Sequence, residues 1–283
     1  MTVPTLQTHC AVRYVQPLRE GGSLPAVVDT DGAGLFIVKF RGAGQGARVL
    51  VTELVVGLLA QTLGLPVPEL ALVEVPERFG RSEPDPEIQD LLRASRGVNV
   101  GMRYLDGAFN LDVAAAGDLI DPALAARIVW LDALVTNPDR TARNPNLMIW
   151  RREPWLIDHG ASLYAQYDWA SVDEARARTP FPLVSRHVLL GRAASIVDAD
   201  AALAPVLTEE VVRAVLDQVP DALLEDPTGP VGAGDFPDAA AARERYAGYL
   251  LTRLRPPRAF VDAAVEARRA AVAEPPRRLE ARR

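Results

Sequence analysis

Residues 47 to 63 read ARVLVTELVVGLLAQTL, a helical stretch that is apolar on most of its faces. A helix of that kind has no broad polar side to give to water, so the chain has to fold around it. Gly64 suits the position just past a helix C-terminus, and Pro66 and Pro68 prevent the helix from continuing. One acid, Glu53, interrupts the apolar run.

The residues before this helix read as strands. CAVRYVQPL is rich in β-formers and stops at REGGSLP, a turn with adjacent glycines. PAVVDTDGAGLFIVKF then gives strand, Asp-Gly turn and strand, the pattern of a hairpin. After the helix, ELALVEVP returns as a strand, residues 77 to 97 form a polar surface loop with one short helix, and VNVGMRYL is a further strand ending in the bend DGA. Beyond it the periodicity turns helical, first over FNLDVAAAGDL and then over DPALAARIVWLDALVTN, with Asp121 as N-cap and Pro122 at the first helical position. NLMIW-RREP-WLID predicts a small hairpin, residues 160 to 185 have little clear period, and the chain is mainly helical from His187 onward, with a flexible break at EDPTGPVGAGDFPDAA. There is no internal repeat. The order predicts an α+β fold in two lobes: a strand-rich lobe over 1–103 holding the buried helix, and a helical lobe over 104–283. They join near Tyr104 to Ala108, with a cleft between them.

With 49% hydrophobic and 24% charged residues, the composition is that of a soluble globular chain. A net charge of −6 argues against nucleic-acid or acidic-lipid partners, which reward a basic face. The basic C-terminal RRLEARR is short and reads as a solvated tail. Cys10 is the only cysteine, which rules out an internal disulfide framework and a Cys-based zinc site. MTVPTLQTHC does not read as a signal peptide, and no apolar run reaches the ~18 residues of a membrane span. The expectation is a cytoplasmic protein; the oligomeric state is not written in these residues.

The chemistry concentrates in NPDRTARNPNLMIW, followed by WLIDHG. Phosphoryl transfer from ATP needs a carboxylate to orient the acceptor hydroxyl and Mg²⁺ to hold the phosphates. Asp139 fits the first demand. Asn144, five residues on, and Asp158, at the end of an apolar strand, fit the second as oxygen ligands for metal. Gly160 is read here as letting the backbone turn away sharply. The same polar residues also describe a turn-rich loop with Asx turns. Lys39 sits among apolar residues in LFIVKF, where an ammonium needs a partner, and Glu53 is the candidate. Such a pair holds a phosphate-contacting lysine in place. A snorkelling lysine and a glutamate on a wet stripe are the plainer reading. Gly21, Gly22 and Ser23, one hairpin before Lys39, could present N–H and hydroxyl donors to phosphate, or form an ordinary hairpin turn. His9 and His187 fit no metal-ligand spacing.

The stretches FIVKF, TELVVGLLAQTLGLPVPE, LVTNPDRTARNPNLMIW and WLIDHGASL resemble the HipA-like kinases, shorter relatives of bacterial serine/threonine kinases first known as toxins. In that family N-x-D-R-x-x-x-N carries the catalytic Asp and a metal-binding Asn, matching Asn137, Asp139, Arg140 and Asn144. A later D-x-G carries the metal-binding Asp, matching Asp158 and Gly160. Phosphoinositide kinases share similar motifs, so the resemblance, over residues 10 to 165, identifies the superfamily better than the substrate. It implies a protein-kinase-like fold with ATP and Mg²⁺. Lys39 would contact the α/β-phosphates, Gly21, Gly22 and Ser23 would cover the phosphates, and adenine would lie near Met102, Tyr104 and Leu105. Arg140 would brace the loop. The acceptor would be a protein Ser/Thr hydroxyl or the chain itself; a small molecule, a lipid headgroup, or a nucleotide-binding scaffold without transfer activity are the alternatives. His159 stands where many kinases have Phe, and Thr141 where HipA and lipid kinases usually have His.

Overall fold

The strands Gln7–Pro17 (β1), Ala26–Thr30 (β2), Gly34–Lys39 (β3), Leu70–Val75 (β4) and Gly97–Arg103 (β5) close into a barrel in the order β1-β2-β3-β5-β4. The structure, a computed structural model, describes residues 2–18, 24–44, 46–81, 83–112, 119–225 and 236–273. Gly21, Gly22 and Ser23, most of the glycine- and proline-rich break after Glu225 and the basic tail lie outside the described residues. β1 lies parallel to β4, and the other neighbours are antiparallel. The two-residue side-chain period of a strand sorts the residues. Val28, Phe36, Val38 and Val73 fill the barrel, while Lys39 and Ile37 leave from the opposite face of β3. The helix Pro86–Ala94 (α2) closes one end with Leu91 and Leu92.

The apolar helix is Ala47–Thr62 (α1), and nearly every residue of it is buried. It lies between β4 and β5 on one side and the helices Glu209–Leu216 (α6) and Asp221–Leu224 (α7) on the other. Gly57 lets it approach β4: a Cβ there would stand 2.5 Å from Leu70 Cδ1. Its end follows expectation, with Gly64 at φ 68° and Leu65 N–H donating to Ala60 O. The N-terminal segment is tied across to the end of α6 as well. Gln218 accepts from Leu6 N–H (2.7 Å) and donates to Pro4 O (2.6 Å).

After the bend at 104–108, Phe109–Asn110 (β6) pairs with Leu147–Trp150 (β7), which pairs with Glu153–Leu156 (β8). The hairpin of β7 and β8 is the one expected, with Arg151 and Arg152 both left-handed in its turn. The helix expected from Phe109 onward is not present at Phe109 and Asn110. Pairing with Ile149 and Met148 draws these residues into the sheet, and tertiary contact overrides weak helical propensity. Residues 113–118 of that expectation lie outside the described residues. Pro122–Leu134 (α3) starts at Asp121, whose side chain accepts from Ala123 and Leu124 N–H. The short helix Glu174–Ala177 (α4) follows, and α3 then packs against Ile196–Leu203 (α5), Ala239–Leu254 (α8) and Ala259–Ala273 (α9). The fold is thus mixed α+β, strand-rich first and helical after.

Candidate active site

At the end of β3, the Lys39 side chain meets α1 and the residues after β8. Its Nζ pairs with Glu53 Oε1 and with Asp158 Oδ1 (2.7 Å). Glu53 is fully committed: Oε1 also accepts from Gly160 N–H (2.7 Å) and Oε2 from His159 N–H (3.1 Å). A buried carboxylate with both oxygens engaged is tolerable inside a core. Burial pulls the Lys39 ammonium toward neutrality, but the Glu53 and Asp158 charges outweigh it and raise its pKa. Burial raises the Asp158 carboxyl, yet Lys39 holds it down to about 2. One positive and two negative charges leave this cluster with a net negative charge, a suitable field for a cation.

The structure changes the reason for Gly160. The left-handed residue in this turn is Asp158 (φ 54°), a conformation Asp adopts more readily than most residues. Gly160 is not at positive φ; it is required by proximity, since a Cβ would lie 2.5 Å from Val49 Cγ1 and 2.9 Å from Glu53 Oε1. His159 between them is buried, with both ring nitrogens unpartnered among the described residues. Burial and then Arg140 push its pKa down to about 3, so the ring is neutral.

The loop after α3 carries Asp139 and Asn144. Asp139 Oδ2 accepts from Asn144 Nδ2 (2.8 Å) and from Asn146 Nδ2 (3.2 Å). Asn146, which the sequence reading missed, also accepts the Ile157 N–H at its carbonyl (3.1 Å), placing the loop one ladder rung from Asp158. With its Nδ2 turned to Asp139, Asn144 leaves its amide oxygen for another partner. Among the described residues no three His, Cys, Asp or Glu side chains gather around a metal position. An amide oxygen and a half-exposed carboxylate are oxygen donors of the kind that suits Mg²⁺, a cation that usually keeps several waters.

Beneath the loop lies a buried hub absent from the sequence reading. Asp132 on α3 accepts from Asn137 Nδ2 (2.9 Å) at one oxygen and from Arg140 Nε (2.5 Å) and His187 Nε2 (2.9 Å) at the other. Burial opposes the charge on Asp132, but Arg140 and His187 hold its carboxyl well below the usual range. Burial lowers the pKa of His187, whose Nδ1 accepts Leu189 N–H, so its proton sits on Nε2 and is donated to Asp132. Arg140 also donates to Asn146 O (2.5 Å) and braces the loop from within. A second brace is Arg253 on α8, which donates to Ala133, Leu134, Ala177 and Thr179 carbonyls. It joins the end of α3 to the end of α4. Asn137 and Arg140 lie within eight positions of Asp132, but His187 and the Arg253 carbonyls lie 55 to 120 positions from their partners, where no local pattern announces them.

Above Lys39, Val27, Ile37 and Met102 stand in one cross-strand row on the outward face of β2, β3 and β5. Val27 and Ile37 were not anticipated. Tyr104 is half-buried and donates its N–H to Leu35 O (3.0 Å). Leu105 is buried, and its carbonyl accepts Ala108 N–H.

Three comparisons bear on this arrangement. The crystal structure of the Helicobacter pylori proinflammatory kinase CtkA is similar in fold, with a TM-score of 0.56. The match covers 95% of this chain and all of that one, at 15% sequence identity. No curated protein matches in sequence. The sequence model for the HipA-like kinase family matches residues 12–177, a span that carries Lys39, Glu53, Asp139, Asn144 and Asp158. The chain belongs to the HipA-like kinase family.

Proposed function

We propose that this chain is a Mg-ATP-dependent kinase whose cleft lies between an N-terminal lobe, residues 1–103, and a C-terminal lobe, residues 104–283. The observation carrying the reading is Lys39, paired at once with Glu53 of α1 and with Asp158, itself one rung from the Asp139 loop. Two of the three Lys39 donors are engaged, and the third is free for an α- or β-phosphate oxygen. Asn144 and Asp158 hold Mg²⁺, which when bound draws charge from the phosphates. Asp139 orients the acceptor hydroxyl and takes its proton at the carboxylate oxygen that Asn144 and Asn146 leave unengaged. The row of Val27, Ile37 and Met102 gives the adenine an apolar roof, with Tyr104 and Leu105 at its edge. Family membership supports the reaction class, and the acceptor is a Ser or Thr hydroxyl of a protein.

The test is thermal unfolding of wild type and Asp158→Ala with ATP, with and without Mg²⁺. Nucleotide at 100 times its dissociation constant stabilises by about 2.7 kcal/mol. A Mg-dependent shift in wild type that Asp158→Ala abolishes supports the reading. Asp139→Ala should keep the shift and lower turnover by about 10² to 10⁴. The absence of any nucleotide shift on folded wild type would overturn it.

A further inference from the structure

We infer that the acceptor side of the cleft takes an acidic protein segment, a Ser or Thr flanked by carboxylates, held between Arg143 and Arg186. The inference rests on the kinase reading above and names its acceptor class. Residues 182–188 lie alongside the loop that carries Asp139: Thr141 and His187 form a β-bridge, and Val188 N–H donates to Arg140 O (3.0 Å). The His187 ring turns inward to Asp132. Arg186, the residue before it, is exposed, as is Arg143, four residues after Asp139.

Half of the exposed arginines among the described residues pair with a carboxylate. Arg13 pairs with Asp29, Arg93 with Asp90, Arg176 with Asp168, and Arg269 with Glu266. With 37 acidic residues against 31 basic ones, partners are in excess. Arg143 and Arg186 nevertheless have no ion pair or hydrogen bond among the described residues. Arg78, Arg81, Arg151 and Arg152 share that condition, but the first two stand in a loop after β4 and the other two in the turn of β7 and β8, where Arg151 stacks on Trp150. Arg143 and Arg186 stand on the two segments that the Thr141–His187 bridge joins beside the Asp139 loop.

Charge explains why such a pair is needed. Asp139, Asp158 and the nucleotide phosphates together repel an anionic acceptor. Two guanidiniums on the approach offset that repulsion and fork onto carboxylates. The same stretch exposes Leu183 (38%) and, nearby, Tyr164 (44%), whose ring lies 6.3 Å from that of Phe181. Apolar side chains interspersed with unpaired arginines along an open surface suit an extended polypeptide, which offers side chains on alternate sides.

The experiment compares three serine peptides, identical except for Glu, Ala or Arg on both sides of the serine, with the full chain and Mg-ATP. The expected order of kcat/KM is Glu over Ala by about 5-fold, with Arg lowest, and the spread shrinks at high salt. Arg143→Glu with Arg186→Glu should reverse the order while leaving the Mg-ATP unfolding shift unchanged. Equal rates for all three peptides, or an order that survives the charge reversal, would overturn the inference. So would transfer to none of them while the Mg-ATP shift persists. Loss of that shift in wild type would instead remove the kinase reading on which the inference stands.

Discussion

Gly160→Ala tests the close approach that holds the D-x-G turn against α1. Because Gly160 is not at positive φ, alanine meets no backbone penalty, and the whole effect comes from the added methyl. At 2.5 Å from Val49 Cγ1 and 2.9 Å from Glu53 Oε1, that carbon cannot fit without displacing something. Val49 is β-branched on a helix, with one preferred rotamer, and yields little. Glu53 Oε1 is held by Lys39 and by the Gly160 N–H itself. Overpacking of this kind costs about 1–3 kcal/mol. At about 2–4 °C per kcal/mol for large domains, the midpoint should fall by about 5 °C. The Mg-ATP shift should shrink with it, since Glu53 carries Lys39 along. Val49→Ala alone loses about 1.5 kcal/mol of burial, but in the double variant it makes the room that the added methyl needs. Thermal unfolding of wild type, both single variants and the double variant should give a favourable coupling of about 1–2 kcal/mol. Additivity within about 0.5 kcal/mol would refute the reasoning, and so would a Gly160→Ala protein as stable as wild type.

Acid should destabilise the protein before most carboxylates titrate. His159 is held at about 3 in the fold, against an ordinary value of 6.5, so below pH 6.5 the unfolded chain binds a proton that the folded one refuses. Stability is therefore full above about 6.5 and falls as the pH drops toward 3, by about 2 kcal/mol between about pH 6.5 and 5. His187 adds a loss of the same sign. Urea unfolding at about pH 7 and pH 5 should show the slope, and His159→Leu should flatten it; an unchanged slope would refute the burial argument. Arg253→Met leaves three buried carbonyls and a partly buried one short of a donor, at about 1 kcal/mol or more for each buried one. Its midpoint should drop by about 10 °C, with faster proteolysis between residues 174 and 186. A midpoint within about 2 °C of wild type would remove Arg253 as a brace.

What the sequence disclosed was local. α1 was legible because one long run of residues carries a single apolar message, and the pair of β7 and β8 because two apolar runs flank a charged turn. Phe109 and Asn110 misled because their partners, Ile149 and Met148, lie far on in the chain, and two residues carry too little periodicity to declare a strand. Gly160 was noticed for the wrong property: a sequence reveals that a residue is glycine, not whether torsion or crowding demands it. Asp132, His187 and Arg253 stayed hidden for a different reason. A buried charge is defined by its partner: Asp132 meets His187 and Arg253 meets its four carbonyls from segments far apart in the chain, and only Asn137 and Arg140 stand near Asp132 in sequence. Asn146 is intermediate. It stands two residues after Asn144, but only the fold directs its amide to Asp139.

Lys39 is the only lysine among the 283 residues; every other basic side chain is an arginine or a histidine. The chain therefore has a single side-chain primary amine, and it is mostly buried, paired with two carboxylates. Its raised pKa keeps it protonated and poorly nucleophilic while those pairs stand. Acylation of the intact protein, the N-terminal amine apart, then proceeds only in the moments when β3 lets go of α1 and the D-x-G turn. The accumulation of one acyl mass over time becomes a clock for that opening, with no engineered label.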